Sequence, residues 1–325
     1  MTDQHYVPGH VPVARMIRGD LVESVHYGSV AAVDAAGRVT LAVGAPQELF
    51  YPRSALKPLQ AVAMVRSGLE LEPELLALAA ASHSGSEAHR TGAAKILARY
   101  GLDVSVLANI PDLPYGEAER EEYLREGNGP DRLAQNCSGK HAAMTATCLI
   151  NGWPVEGYLD PGHPLQQAVL ATVQDLSGEI VTCSSTDGCG TPVYALTLPA
   201  IARAYGRIAS SPSSSPEGAV AAAMSSFPGQ IAGEGRDVTA LMRLLPGAVA
   251  KDGFEGVQLV GLPDGRAVAV KISDGGDRAR MPVTVRALQL AGVDTSGLDE
   301  LASRPVLGGG RPVGRLSATD FTNDL

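Results

Sequence analysis

Basic residues are in short supply. The chain carries 26 Lys and Arg against 35 Asp and Glu, a net charge of −9. Phosphate binding needs a basic surface, so this balance argues against nucleic acid as a general partner. Long hydrophobic runs are absent too. No segment approaches the ~20 apolar residues of a membrane span, so no membrane partner is expected. Met1 to Arg15 lacks a basic segment followed by an apolar one, so no secretory signal is read. The expected compartment is the cytoplasm. Cysteine is sparse: Cys137, Cys148, Cys183 and Cys189 include no C-x-x-C pair. A disulfide framework is not expected in a large chain of a reducing compartment. Any metal site using these thiols must be assembled from separate loops.

What remains is an ordinary globular composition, 45% hydrophobic and 19% charged. The 325 residues are read as one large domain. The serine-rich stretch 209–217 could divide it into two lobes, but a long loop is preferred. Val30–Asp34 and Arg38–Val43 flank Ala35-Ala36-Gly37 and predict a β-hairpin. Gln258–Leu262 and Arg266–Ser273 flank Pro263-Asp264-Gly265 and predict another. Helical spacing is found over Ser54–Ser67, Pro73–Ala81, His89–Tyr100, Ala142–Ile150, His163–Leu176, Val193–Tyr205, Glu217–Phe227, Asp237–Leu245 and Pro282–Ala291. Ile180–Ser184 reads as a strand, 111–129 as a long loop, and the tail after Ser303 as Gly- and Pro-rich. Strands therefore lie toward both ends of the chain. The expected fold class is α/β (α+β): a central, largely antiparallel sheet flanked by helices.

Several polar stretches break the apolar background. In Arg53-Ser54-Ala55-Leu56-Lys57, the serine and lysine are i and i+3 on a helix, hence neighbours. A serine needs a base to take its proton, and a lysine serves only when its amine is neutral. Ser82-His83-Ser84-Gly85 is a hydroxyl-rich turn. Lys271 interrupts the apolar strand Val268–Ile272; if its face is covered, it too becomes an activating amine, with Ser84 as its partner. Cys137, Lys140, His141 and Cys189 could hold zinc, two thiolates and a nitrogen leaving a fourth position open. Spacing favours His141 over Lys140 there, because imidazole is the commoner ligand. Free cysteines more often simply pack. Gly139-Lys140 is no phosphate loop, since the upstream glycine is missing. Asp187 and Asp274 precede glycines, which suits a sharp turn as well as a site. Arg236 could hold a carboxylate. His5, His10 and His26 have no evident partners.

Taken together, Arg53–Gln60, Ala81–Gly85, Asn136–Ala142, Asp187–Gly190 and Val270–Gly275 resemble the L-asparaginase II family of the Rhizobium etli type. The resemblance implies a fold like that of the serine β-lactamases and glutaminases, a homodimer, and hydrolysis of L-asparagine to L-aspartate and ammonia. It implies two Ser–Lys tandems, Ser54 with Lys57 and Ser84 with Lys271. It implies zinc held by Cys137, Lys140 and Cys189, against the spacing argument for His141. Arg53, His83, Asp187 and Asp274 are expected to contact the substrate. Two rivals stand beside this reading. One is a penicillin-recognising serine hydrolase, although its S-D-N and K-T-G motifs are missing. The nearest strings to the latter are Lys251-Asp252-Gly253 and Lys271-Ile272-Ser273. The other is a non-catalytic zinc or amino-acid sensor.

Overall fold

A computed structural model describes residues 6–321; His5 lies outside them. One antiparallel sheet is assembled from both ends of the chain. Its strands are β1 (Val11–Arg18), β2 (Leu21–Val33) and β3 (Val39–Val43) from the first part. A short separate pair, β4 (Ser184–Thr186) and β5 (Pro192–Tyr194), interrupts the helical middle. Then come β6 (Val249–Gly253), β7 (Val257–Gly261), β8 (Ala267–Ile272), β9 (Ser303–Gly308) and β10 (Arg311–Ala318). The order is β6-β7-β8-β2-β1-β10-β9, with β3 also on β2. This is the helix-flanked antiparallel sheet that the sequence predicts.

The long strand β2 changes character along its length. Its first half, Leu21–Gly28, pairs with β1 and keeps most side chains out of the core. Its second half, Ser29–Val33, is buried throughout and lies between β8 and β3. A strand covered on both faces reads as an unbroken apolar run rather than an alternation. The helices Leu198–Ser210 and Arg280–Leu290 both pack on β8, which accounts for its near-complete burial.

Both predicted hairpins are present, closing at residues 34–38 and 262–266. The Gly- and Pro-rich tail after Ser303 also forms a hairpin. Gly309 and Gly310 take positive φ at its turn, and Pro305 sits on the outermost strand, where a missing N–H breaks no ladder. The expected strand over 180–184 begins only at Ser184. The expected helix from Val193 starts at Leu198, capped by Thr197, because 192–194 pairs with β4. The loop 111–129 contains the helix Glu117–Arg125, whose acidic first turn complements its dipole. The serine stretch is a short turn between two helices that pack on each other, with Ser215 capping the second.

One glycine on the sheet edge fixes the neighbourhood of the site. A Cβ on Gly253 would lie 2.2 Å from the Pro52 carbonyl oxygen, so only glycine lets the 53–56 turn sit against β6. Gly253→Ala is expected to destabilise the fold by about 1–3 kcal/mol, as forced overpacking does. A melting temperature equal to wild type would contradict that expectation.

Candidate active site

Ser54 lies in a short 3-10 turn, Arg53–Leu56, that runs into the helix Lys57–Arg66. The Lys57 N–H bonds the Ser54 carbonyl, so the two are one turn apart, and Pro58 occupies the helix start where no donor is needed. Arg53 has φ +55, a left-handed backbone that a non-glycine residue holds at a cost. Its guanidinium meets the Asp187 carboxylate at 2.7 Å and lies over the Phe254 ring.

The Lys57 side chain is 1% exposed. Its ammonium donates to the Ala81 carbonyl at 2.6 Å and to Ser82 Oγ at 2.7 Å. Ser82 is held in place by backbone bonds on an extended stretch: Ser82 N–H to the Ile231 carbonyl, His83 N–H to Asn136, and Ser84 N–H to Ala232. A second lysine enters from β6. Lys251 is fully buried and donates to the backbone carbonyl and the carboxylate of Asp252. Burial lowers its pKa to about 8; Asp252 opposes that fall and the Lys57 charge adds to it. Asp252 is held well below the usual carboxylate range: burial would raise it, but Lys251, Arg236 and Arg280 outweigh that. Arg236 bonds Asp252 at 2.9 Å and stacks on Tyr115.

Ser54, Ser82, Tyr115, Asn136, Asp252, Phe254 and Asp277 line one narrow cleft with room for about 20 Å³. Larger clefts open elsewhere on the surface. Tyr115 and Phe254 are exposed wall residues, and Gly253 lies between Asp252 and Phe254 in the same lining.

A thiol cluster lies behind the Arg53–Asp187 pair. Lys140 Nζ is 3.0 Å from Cys189 Sγ and 2.9 Å from Thr191 Oγ1. The Cys137 thiol donates to Asn136 Oδ1 at 3.0 Å, and Cys189 is drawn well below the ordinary thiol range by its neighbours Cys137, Lys140 and His141. Cys137 is pushed well above that range by its neighbour Cys189 and by burial. His141 bonds Tyr158 through Nδ1, and its buried Nε2 has no partner among the described residues. Burial lowers its pKa to about 4, so the ring is neutral. Among the described residues, no three His, Cys, Asp or Glu side chains gather as a metal-ion site. The set Cys137, Lys140 and Cys189 supplies two thiols and an amine. Those are donor types that zinc takes, but His141 does not complete a three-ligand set with the two cysteines.

The family model described as L-asparaginase II matches residues 14–318. The chain belongs to the L-asparaginase II family. It is therefore an amide hydrolase in the broad sense that membership carries. Among curated proteins none matches it. Solved structures similar to it include the native form of Mglu, with TM-score 0.44, 16% identity, 84% of this chain and 67% of that one. A beta-lactamase from Mycobacterium bovis gives 0.42 and 15%, over 85% and 95% of the two chains. One from Burkholderia vietnamiensis gives 0.37 and 19%, over 82% and 92%. Among the described residues, no helix is long and apolar enough to cross a membrane.

For this asparaginase II chain, the structure revises several sequence expectations. Ser84 does not meet Lys271. Ser84 is 1% exposed, its hydroxyl donates to the Ala232 carbonyl, and it packs against Gly233. Lys271 donates to the Glu255 and Ile272 carbonyls and lines a different cleft. Strand alternation explains the difference: Lys271 shares a face with its cross-strand partner Ser29. The serine two residues earlier, Ser82, takes the place in the Ser54 cleft, and Lys251 brings the second amine. His83 is wholly buried, bonds Ser138 Oγ through Nε2, and stacks on His89 behind the cleft. Asp274 turns away to His26, and Asp277 is the aspartate that reaches the cleft. Arg53 and Asp187 hold each other at the cleft's edge.

Lys251 and Asp252 carried one available signal. They follow directly on the apolar run Ala248-Val249-Ala250. Charges that continue a buried strand demand partners, so a lysine and an aspartate side by side there mark a polar site within the core.

Proposed function

We propose that this enzyme hydrolyses the side-chain amide of L-asparagine to L-aspartate and ammonia. The observation that carries the reading is the bond between the sealed Lys57 ammonium and Ser82 in a cleft shared with Ser54. Ser54 is the attacking hydroxyl in this proposal. It is only partly buried, and it stands in the turn that opens the Lys57–Arg66 helix. Ser82 is 5% exposed and carries protons between Lys57 and the reacting atoms. Once Lys251 has lost its proton, its amine is free to receive the Ser54 proton. Ammonia leaves with a proton returned through Ser82, and water then releases aspartate from the acyl-serine. The anionic wall of Asp252 and Asp277 suits the substrate's α-ammonium, and Arg53 its α-carboxylate. The cleft must widen at Tyr115 and Phe254 to admit an amino acid.

Zinc held by Cys137, Lys140 and Cys189 belongs to the same proposal. When bound, it would supply Lewis acidity and fix the 187–191 loop, and through Asp187 it would steady Arg53. A homodimer working in the cytoplasm completes the reading. The test is ammonia release from L-asparagine and L-glutamine, with and without added zinc. Saturable release from asparagine supports the proposal; a protein that binds asparagine but releases no ammonia is a sensor. Nitrocefin should not turn over, because the S-D-N and K-T-G motifs of penicillin-recognising enzymes are missing.

The pH profile offers a sharper check. Activity should rise with pH through about 8 as Lys251 gives up its proton. Asp252 raises the Lys251 pKa, so Asp252→Asn should move the rising limb toward lower pH, on the order of one pH unit. A limb that stays put, or moves up, removes Lys251 from the mechanism.

A further inference from the structure

A second cleft, of about 280 Å³, shares no lining residue with the Ser54 cleft. Its two walls differ in kind. One carries His10, Ser29, Lys271 and Ser273; the other is the loop Ala45, Glu48, Leu49 and Phe50, with Leu198. Lys271 and Ser29 are cross-strand partners, so their side chains share one face.

The polar wall has donors to spare. An ammonium has three N–H groups, and Lys271 spends two of them on the Glu255 and Ile272 carbonyls. Ser29 Oγ accepts the Ala45 N–H and bonds His10 Nδ1 at 2.8 Å. That fixes the imidazole while leaving Nε2 without a partner among the described residues. The Ser273 hydroxyl is likewise uncommitted. Burial lowers the pKa of both His10 and Lys271, as expected of groups half removed from water. The opposite wall is apolar, apart from Glu48, which accepts the Tyr6 phenol. An apolar pocket with a few convergent polar groups is the usual form of a small-molecule site.

We propose that this cleft binds a small monocarboxylate with an apolar body, its carboxylate on Lys271 and His10 and its body against Leu49, Phe50 and Leu198. Glu48 on the loop wall selects against a second carboxylate. The site is separate from the amide-hydrolysing cleft and does not depend on what that cleft does.

Isothermal titration calorimetry of the full chain with benzoate tests it, with benzamide and phthalate alongside. Benzoate should bind saturably, and benzamide and phthalate at least roughly tenfold more weakly, since a charge-assisted bond is lost or a repulsion gained. Lys271→Met should weaken benzoate about tenfold or more and leave benzamide nearly unchanged. Leu49→Trp, at an exposed rim position, should block both without touching any charge. Ser54→Ala should bind benzoate as wild type does. The proposal fails if benzoate does not bind by tens of millimolar (roughly the weak end of the affinity scale), or if benzamide matches it. It also fails if binding survives both Lys271→Met and Leu49→Trp, or disappears in Ser54→Ala.

Discussion

Ser54→Ala is expected to lower kcat for L-asparagine by about a thousandfold or more, with the fold intact. Removing a nucleophilic serine costs on the order of 10⁶ where such series exist, and a thousandfold is a conservative floor. The fold should survive because the Ser54 side chain is only partly buried, and its bond to Lys57 is a backbone one. Substitutions of that kind usually change stability by less than about 0.5 kcal/mol. Ser82→Ala should also abolish turnover but behave differently on melting. It strips the Lys57 ammonium of a buried acceptor, at a cost of roughly 1–3 kcal/mol. Mass spectrometry of acid-quenched enzyme separates the two serines further, since the acyl adduct should sit on the peptide containing Ser54. An adduct on Ser82 would exchange their roles, and near-wild-type turnover of Ser54→Ala would end the proposed chemistry.

Lys57→Met should be as severe, at about a thousandfold or more in kcat, for a different reason. It removes the buried amine that holds Ser82 and whose charge lowers the Lys251 pKa. The Lys57 charge is among the influences that push Lys251 down, so without it Lys251 should hold its proton to higher pH. Residual activity should therefore rise at a pH above the wild-type limb. The change should also cost roughly 1–3 kcal/mol of stability, because the Ala81 carbonyl and Ser82 Oγ lose a buried donor. Steady-state rates across pH, read beside thermal melts, check both halves. Retention of a tenth of wild-type activity would show that Lys57 is structural.

The parts of the molecule governed by local rules were legible. Both turn signals gave the hairpins at 34–38 and 262–266, and Pro58, Pro73 and Pro164 marked helix starts. Ser54 and Lys57 stand one turn apart, as local helix spacing alone requires, but the Lys57 amine bonds Ser82 rather than Ser54. The second amine was not legible, because the one local difference, the Asp252 that follows Lys251, marks a polar site without saying what it meets. Lys251 and Lys271 both stand in apolar strands, and only the order of the sheet decides which one meets the 53–56 turn. Choosing between Ser82 and Ser84 required knowing how 82–84 pairs with 231–232, a contact across about half the chain. The final hairpin was hidden by Pro305, Gly309 and Gly310, residues that weaken a strand signal yet suit an edge and a turn.

The threading of the sheet also bears on how the enzyme is made. Ser29–Val33 is flanked by β8, whose residues come more than two hundred positions later. During synthesis the ribosome releases this apolar segment long before its second neighbour exists. Nascent chains should therefore present a sticky, half-covered ribbon to chaperones for most of translation. Catalytic competence should arrive abruptly, near the moment Lys251 and β8 emerge, rather than accumulate with length.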